Sequence, residues 1–242
     1  MCDDSDQFGR AIYDYHRGER AEPLLQHGGN ETREHPIESF YFEPYDPDSA
    51  RGVFLDSWLS GPLLDIGAGA GRDSLYFQQQ FETVAIDVSN YLVETMRERG
   101  VTDARTVDMF TLRETFDRDR FESVLVYGTQ IGLARSMQGL RRFLGDLAYV
   151  TDGGGTVVLH GIDPDRVEPS ELLGYRSDPT PGLAYRVIQF EYEGQRDEPL
   201  LFRLFSPDRL REAVVGTGWR IAELGGSSDL DDPHYQAALT KS

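Results

Sequence analysis

Residues 61–71, GPLLDIGAGAG, decide how the rest of the chain is read. Pro62, Leu63, Leu64 and Ile66 predict a short buried strand. Gly67, Gly69 and Gly71 then let the backbone turn tightly and approach a ligand, before a helix opens over residues 72–80. Strand, glycine turn and helix in this order make a cradle for a nucleotide-type ligand, although the same turn also occurs with nothing bound. A dinucleotide fingerprint begun at Gly67 requires glycine where this chain has Arg72. Asp65 is a second objection, because a carboxylate at the strand end repels a pyrophosphate and favours a cationic ligand.

Downstream residues extend the pattern. A second strand over residues 82–87, ETVAID, ends on Asp87, about twenty residues beyond the glycines, where a carboxylate can accept hydrogen bonds from both hydroxyls of a ribose. That supports a nucleoside without choosing one. Ser89 caps a helix over 90–99 that Gly100 ends, and a third strand over 102–107 delivers Asp108 and Met109. Asp108 also reads as an N-cap for a segment over 111–115. A fourth strand, FESVLV over 121–126, carries Tyr127-Gly128-Thr129-Gln130 at its carboxyl end, where open α/β sheets place ligands.

A helix over 136–150 follows, ended by Gly153, Gly154 and Gly155, and a fifth strand over 156–160 ends on His160. His160 reads either as a structural hydrogen-bonder or as a general base. Residues 164–206 depart from the minimal sheet plan, with a β-hairpin of 183–192 and 200–205 around Glu193-Gly194-Gln195. Ser206-Pro207-Asp208 starts a helix to Val215, and strands over 219–224 and 235–240 complete the chain around an acidic loop, Asp229 to Asp232.

The N-terminal sixty residues predict a lid. A short helix runs over 7–20 with Asp6 as N-cap, a polar glycine-containing loop spans 28–34, and an aromatic cluster of Phe40, Tyr41, Phe42 and Tyr45 packs the lid on the core or walls a pocket. A helix started by Asp46-Pro47-Asp48-Ser49 and running through Trp58 leads into the first strand of the sheet.

The pattern Asp65-x-Gly67-x-Gly69-x-Gly71 resembles the first motif of the class I SAM-dependent methyltransferases, a Rossmann-like family. The order of Asp87, Asp108 and the Tyr127 loop agrees with it. The resemblance covers residues 61–160 well, 206–240 moderately, and the first sixty only as a loose lid. It implies a doubly wound, seven-stranded, mostly parallel sheet with the last strand antiparallel, divided as a lid over 1–60 and a SAM-binding domain over 61–242 with an insertion at about 164–206. It implies S-adenosyl-L-methionine (SAM) as cofactor, a cation without phosphate. Asp65 with the Gly67, Ala68 and Gly69 backbone would hold its methionine portion, Asp87 the ribose, and Asp108, Met109 and Val88 the adenine. Tyr127 would lie beside the transferred methyl group. Methylases of amino groups on nucleic-acid bases and protein glutamine resemble one another in an Asn/Asp-Pro-Pro-Tyr motif where this chain has YGTQ, which with the acidic surface disfavours DNA and RNA bases. The YGTQ loop, the aromatic lid and the hairpin suggest a small-molecule acceptor, with a protein substrate left open. The implied mechanism is direct displacement, for which no catalytic triad is expected and no catalytic residue is assigned. Two rivals stay open: an NAD-dependent oxidoreductase on a similar sheet, and a SAM-binding or partner-binding module without catalysis.

Composition narrows the classes. At 242 residues the chain accommodates one α/β domain with a lid. A formal net charge of -18 disfavours nucleic acid and anionic membranes as partners. The single lysine, Lys241, leaves neither a P-loop nor a Schiff-base site. Abundant acid with almost no lysine resembles proteins of salt-loving archaea, although a GC-rich genome gives a similar bias. A lone Cys2 and no apolar leader predict a reduced, cytoplasmic protein, monomeric or homodimeric; Asn30-Glu31-Thr32 is a chance match to a glycosylation acceptor.

Overall fold

The N-terminal helix forms where its cap predicts. In this computed structural model, which describes residues 6–226 and 232–241, α1 spans Gln7–Arg17. The Asp6 carboxylate accepts the Gly9 N–H at 2.8 Å, and Gly18 ends the helix with φ +71°. Cys2 and, in the predicted acidic loop, Asp229 and Asp231 lie outside the described residues.

The polar stretch expected as a loop is instead a hairpin. Strands β1 (Leu25–Gly28) and β2 (Glu31–Glu34) pair antiparallel through Gly29, whose φ of +66° supplies the reversal. Every β2 side chain is exposed, so the period-2 signal of a half-buried strand is missing from the sequence. One π-type turn, Glu38–Phe42, then presents Phe40, Tyr41 and Phe42, and α2 (Ala50–Trp58) starts at Ser49, whose hydroxyl accepts the Gly52 N–H.

The central sheet follows the expected plan. Its elements run β3 (Leu63–Ile66), α3 (Arg72–Phe77), β4 (Thr83–Asp87), α4 (Asn90–Arg99), β5 (Ala104–Thr106), α5 (Leu112–Thr115), β6 (Phe121–Val126), a 3-10 turn at Gln130–Ala134, α6 (Met137–Val150) and β7 (Thr151–Ile162). The glycines at 153–155 do not end α6; the helix stops at Val150 and they lie inside β7, where the register against β6 shifts. The inserted segment contributes β8 (Tyr175–Ser177), β9 (Leu183–Tyr192), β10 (Gln195–Arg196) and β11 (Leu200–Phe205). Last come α7 (Pro207–Val214), β12 (Trp219–Gly226) and β13 (His234–Lys241). The sheet order is β12-β13-β7-β6-β3-β4-β5, parallel except where β13 runs antiparallel to both neighbours.

Alternation along the strands divides the core into two layers. Leu64, Ile66, Val124, Val126, Val157 and Leu159 face α6 and α7, while Leu63, Leu125, Val158 and Ala238 face Phe54 and Leu55 of α2. Asp65 shares the second face, and Asp87 stands at the carboxyl end of β4.

A second sheet joins segments far apart in sequence. β9 pairs with β10, with β11 over Leu183↔Phe205 to Ile188↔Leu200, with β8, and with β1 at His27↔Gln189. The turn at Glu193-Gly194 therefore closes β9 onto the two-residue β10, and β11 returns to the first half of β9. Ile188, Phe190 and Tyr192 on one face of β9 pack with Ile12, Leu24 and Ile37 and with Phe8, Tyr41 and Phe42. Tyr41 and Phe42 of the aromatic cluster thus pack this sheet onto α1, while Phe40 is exposed and Tyr45 stacks on Tyr76 at 4.0 Å.

Candidate functional site

The glycine turn uses its own amides. Gly67 and Ala68 N–H both donate to the Ile86 carbonyl, at 2.9 and 3.1 Å, Gly69 N–H donates to Asp87 Oδ2 at 3.1 Å, and Gly71 N–H to the Ala68 carbonyl at 2.9 Å. A pyrophosphate cradle needs such amides turned toward the ligand. Here four are engaged within the protein, and the buried charges against the turn are the carboxylates Asp65, Asp73 and Asp87 with the arginines Arg51, Arg72 and Arg99 around them.

Asp87 is the hub. Its Oδ1 accepts the Ser89 N–H at 3.0 Å, and burial pushes its carboxyl up to about 6 against the pull of the two backbone donors. Asp65 lies behind the turn, 3 % exposed, accepting the Ser74 hydroxyl at 2.5 Å; burial and the nearby Asp73 carboxylate raise its carboxyl as well. Asp73 is paired with Arg51, whose guanidinium lies 4.2 Å from the centre of the Tyr127 ring. Arg51→Met is expected to cost about 3 kcal/mol of stability by leaving Asp73 buried beside Arg72 alone, read from denaturant midpoints.

The loop after β6 is anchored by His160. Gly128 and Thr129 are both left-handed, at φ +71° and +65°, and this turns the Thr129 N–H onto His160 Nδ1 at 3.1 Å. The His160 ring stacks on Tyr127 at 4.3 Å and meets His234 edge-on at 5.1 Å. Burial, with the charges of His234 and Arg51, holds it down to about 3, so the ring is neutral with its proton on Nε2. A group with that pKa is a poor proton acceptor at neutral pH, and its Nδ1 is engaged; the structural reading of His160 is the one this geometry supports.

Side chains from Tyr41 and Gln130 cover the turn. A methyl group on Gly69 would stand 3.2 Å from the Tyr41 ring, and the Gln130 side chain lies over Gly67. Arg99 ties the two parts together, donating to the Tyr41 carbonyl at 2.9 Å and the Ala70 carbonyl at 2.6 Å. The Tyr41 hydroxyl meets His35 Nε2 at 3.1 Å, and burial and the Asp87 charge raise the phenol, which stays protonated.

At the ends of β4 and β5 the structure separates residues that sequence reading grouped. Val88 is 71 % exposed, but Met109 is 8 % exposed and packs in the main core, leaving Phe110 as the exposed apolar side chain beside it. Asp108 is exposed and accepts the Phe110 N–H at 2.9 Å, so its side chain shapes the turn ahead of α5 instead of capping the helix itself. Sequence reading missed Phe110, Arg51 and Arg99; an arginine's partner lies across the fold and leaves no local pattern.

No protein-family model and no curated protein matches the sequence. Solved structures do match. A SAM-dependent methyltransferase from Bacteroides fragilis, in complex with S-adenosyl-L-homocysteine (SAH), has a TM-score of 0.79 at 22% identity, covering 98% of this chain and 95% of that one. The CcbJ methyltransferase from Streptomyces caelestis has a TM-score of 0.67 at 14% identity, covering 99% and 100%. SAM-bound CalS10, an amino pentose methyltransferase from Micromonospora echinaspora, has a TM-score of 0.52 at 16% identity, covering 74% and 83%. No helix among the described residues is long and apolar enough to cross a membrane. The seven-stranded sheet with its antiparallel β13, and the likeness over nearly the whole chain, give this protein the fold of the class I methyltransferases.

Proposed function

We propose that the chain is a SAM-dependent methyltransferase that acts on a small-molecule acceptor by direct displacement. The observation that carries the reading is the arrangement at three adjacent parallel strand ends: the glycine turn after β3, Asp87 at the end of β4 with exposed Val88 after it, and Asp108 with Phe110 after β5. Structures of the same fold that hold SAM or SAH support it.

The residues fit such a ligand chemically. SAM carries an ammonium and a sulfonium and no phosphate, and the turn offers carboxylates and engaged amides where a dinucleotide would need free donors. In this reading Asp65 and the Gly67, Ala68 and Gly69 backbone bound the methionine portion, and Asp87 accepts from the ribose. Asp108 takes the adenine edge while Val88 and Met109, with Phe110, give the ring apolar contact. When bound, SAM supplies an electrophilic methyl group on sulfur. The chain's own part is to align an acceptor atom with it, to exclude water beneath Tyr41, and to keep the Tyr127 loop in place through His160 and Arg51.

The same amides and carboxylates weigh against the NAD-dependent rival. A salt-adapted protein remains our reading of the acidic composition, and a reducing, cytoplasmic setting our reading of the lone cysteine. Calorimetry with SAM, SAH and NAD, followed by transfer from methyl-labelled SAM to a cell extract, tests the proposal. SAM and SAH are expected to bind and label to enter a small molecule; NAD binding without SAM binding would overturn it, and SAM binding without transfer would favour a non-catalytic module.

A further inference from the structure

One charged side chain stands where the second sheet should be apolar. Ala184, Arg186, Ile188, Phe190 and Tyr192 share a face of β9, and every member except Arg186 is buried and carries no charge. Two of the Arg186 donors have neutral partners: Nε donates to the Leu173 carbonyl at 3.0 Å and Nη2 to Gln26 Oε1 at 3.4 Å. These fix the direction of the guanidinium without neutralising it.

Among the described residues no carboxylate pairs with Arg186. Arg51 is matched with Asp73 and Arg203 with Asp178 at 2.8 Å, whereas Arg99, like Arg186, donates to neutral groups, the Tyr41 and Ala70 carbonyls. In a chain with a net charge of -18, an inward cation without a counter-ion is unexpected, since burying an unpaired charge is costly. The charge felt most from a neighbouring side chain is that of Arg33, of like sign, which together with burial lowers the Arg186 pKa.

Its strand places it beside the glycine turn: Ile188 and Phe190, on the same face of β9, pack with Tyr41, whose ring covers Gly69. The Arg186 charge acts on Tyr41, which covers Gly69, on His35, which meets the Tyr41 hydroxyl, and on His234, which packs against His160 at the end of β7. None of these supplies a negative charge: burial lowers both histidines toward the neutral form and raises the tyrosine.

We infer that Arg186 binds the carboxylate of the methyl acceptor, which makes that acceptor a small organic acid. The anion site rests on the geometry of β9, and the word acceptor rests on the methyltransferase reading. A guanidinium matches a monoanionic carboxylate in charge and planar shape, where a phosphate dianion would ask for a second cation, and the neighbouring Arg33 is already paired with Glu31 at 3.0 Å. SAM also carries a carboxylate, so the test must separate the two molecules.

Benzoate and its neutral analogue benzamide are titrated into the full chain, with and without saturating SAH, and SAH affinity is measured alongside. The wild type is expected to prefer benzoate over benzamide roughly tenfold or more, as for a charge-assisted pair. Arg186→Gln should abolish the preference and Arg186→Lys should keep part of it, with SAH affinity and thermal midpoint unchanged in both. Equal or absent binding of the two probes to the wild type overturns the inference without reference to any variant. So does a preference that survives Arg186→Gln, or a tenfold loss of SAH affinity in that variant, which would assign the arginine to the donor. If SAH does not bind the wild type, the methyltransferase reading fails, and the SAH-free titration still reports on the anion site.

Discussion

Asp87→Ala is expected to weaken SAH about a hundredfold, the loss of roughly 3 kcal/mol when two charge-assisted hydrogen bonds from a ribose are removed. The circular dichroism spectrum should stay native, because β4 is held on both sides by β3 and β5. Asp87→Asn, which keeps the shape, should show most of the same loss. Unchanged affinity in both would remove Asp87 from the site. A pH dependence accompanies this result. Burial raises Asp87 to about 6, so wild-type affinity should fall about tenfold per pH unit below that value, and the asparagine variant should lose this slope.

Stability must be followed in the same window, because the buried groups pull in opposite directions. For Asp87 the folded pKa is raised above the unfolded value of 3.8, so the folded state binds more protons and the contribution is lost as pH rises from about 4 to about 6. For His35 and His160 burial lowers the folded values from 6.5 to about 4 and about 3, so stability is lost as pH falls below about 6.5. Binding isotherms at pH 7.5, 6.5 and 5.5, each beside a denaturant midpoint, separate ligand loss from unfolding.

Gly71→Ala is the second large effect, and it is structural. Gly71 is the N-cap of α3 at φ +79°, and an added methyl group would stand 2.7 Å from Val101 Cγ2 and 3.0 Å from Met96 Cγ. The left-handed conformation costs an L-residue about 1–2 kcal/mol, and overpacking a filled site costs about 1–3 more. A total of about 2–5 kcal/mol should appear as a lowered denaturant midpoint with the m-value unchanged. A midpoint within the wild-type error would show that α4 can shift to accept the methyl group.

The central sheet was legible because its strands are buried on both faces and its helices carry local end signals. Leu63–Ile66 and Phe121–Val126 are apolar runs, and Ser49, Ser89, Ser136 and Ser206 each cap a helix. The hairpin at 25–34 was not legible. Glu31, Thr32, Arg33 and Glu34 are exposed, and β2 exists because β1 pairs with β9. The candidate site divides the same way. Gly67, Gly69, Gly71 and Asp87 act through backbone geometry written locally, whereas Arg51, Arg99 and Arg186 act through partners on other elements. A strand-end position does not fix which of two adjacent side chains enters the core, and here Met109 is buried while Phe110 stays exposed.

The pairing of His27 with Gln189 also sets an order of assembly. Strand β1 is made early in synthesis and has only the exposed β2 beside it until β9 has left the ribosome, by which time the strands from β3 to β7 can already be paired. Closing so long a loop is slow relative to local contacts. The half that carries the glycine turn can therefore form first, with the covering sheet completed last from both sides of it. A nascent chain stopped before residue 183 would carry the glycine turn and Asp87 with α1 and Tyr41 lacking the surface of β9 on which they rest.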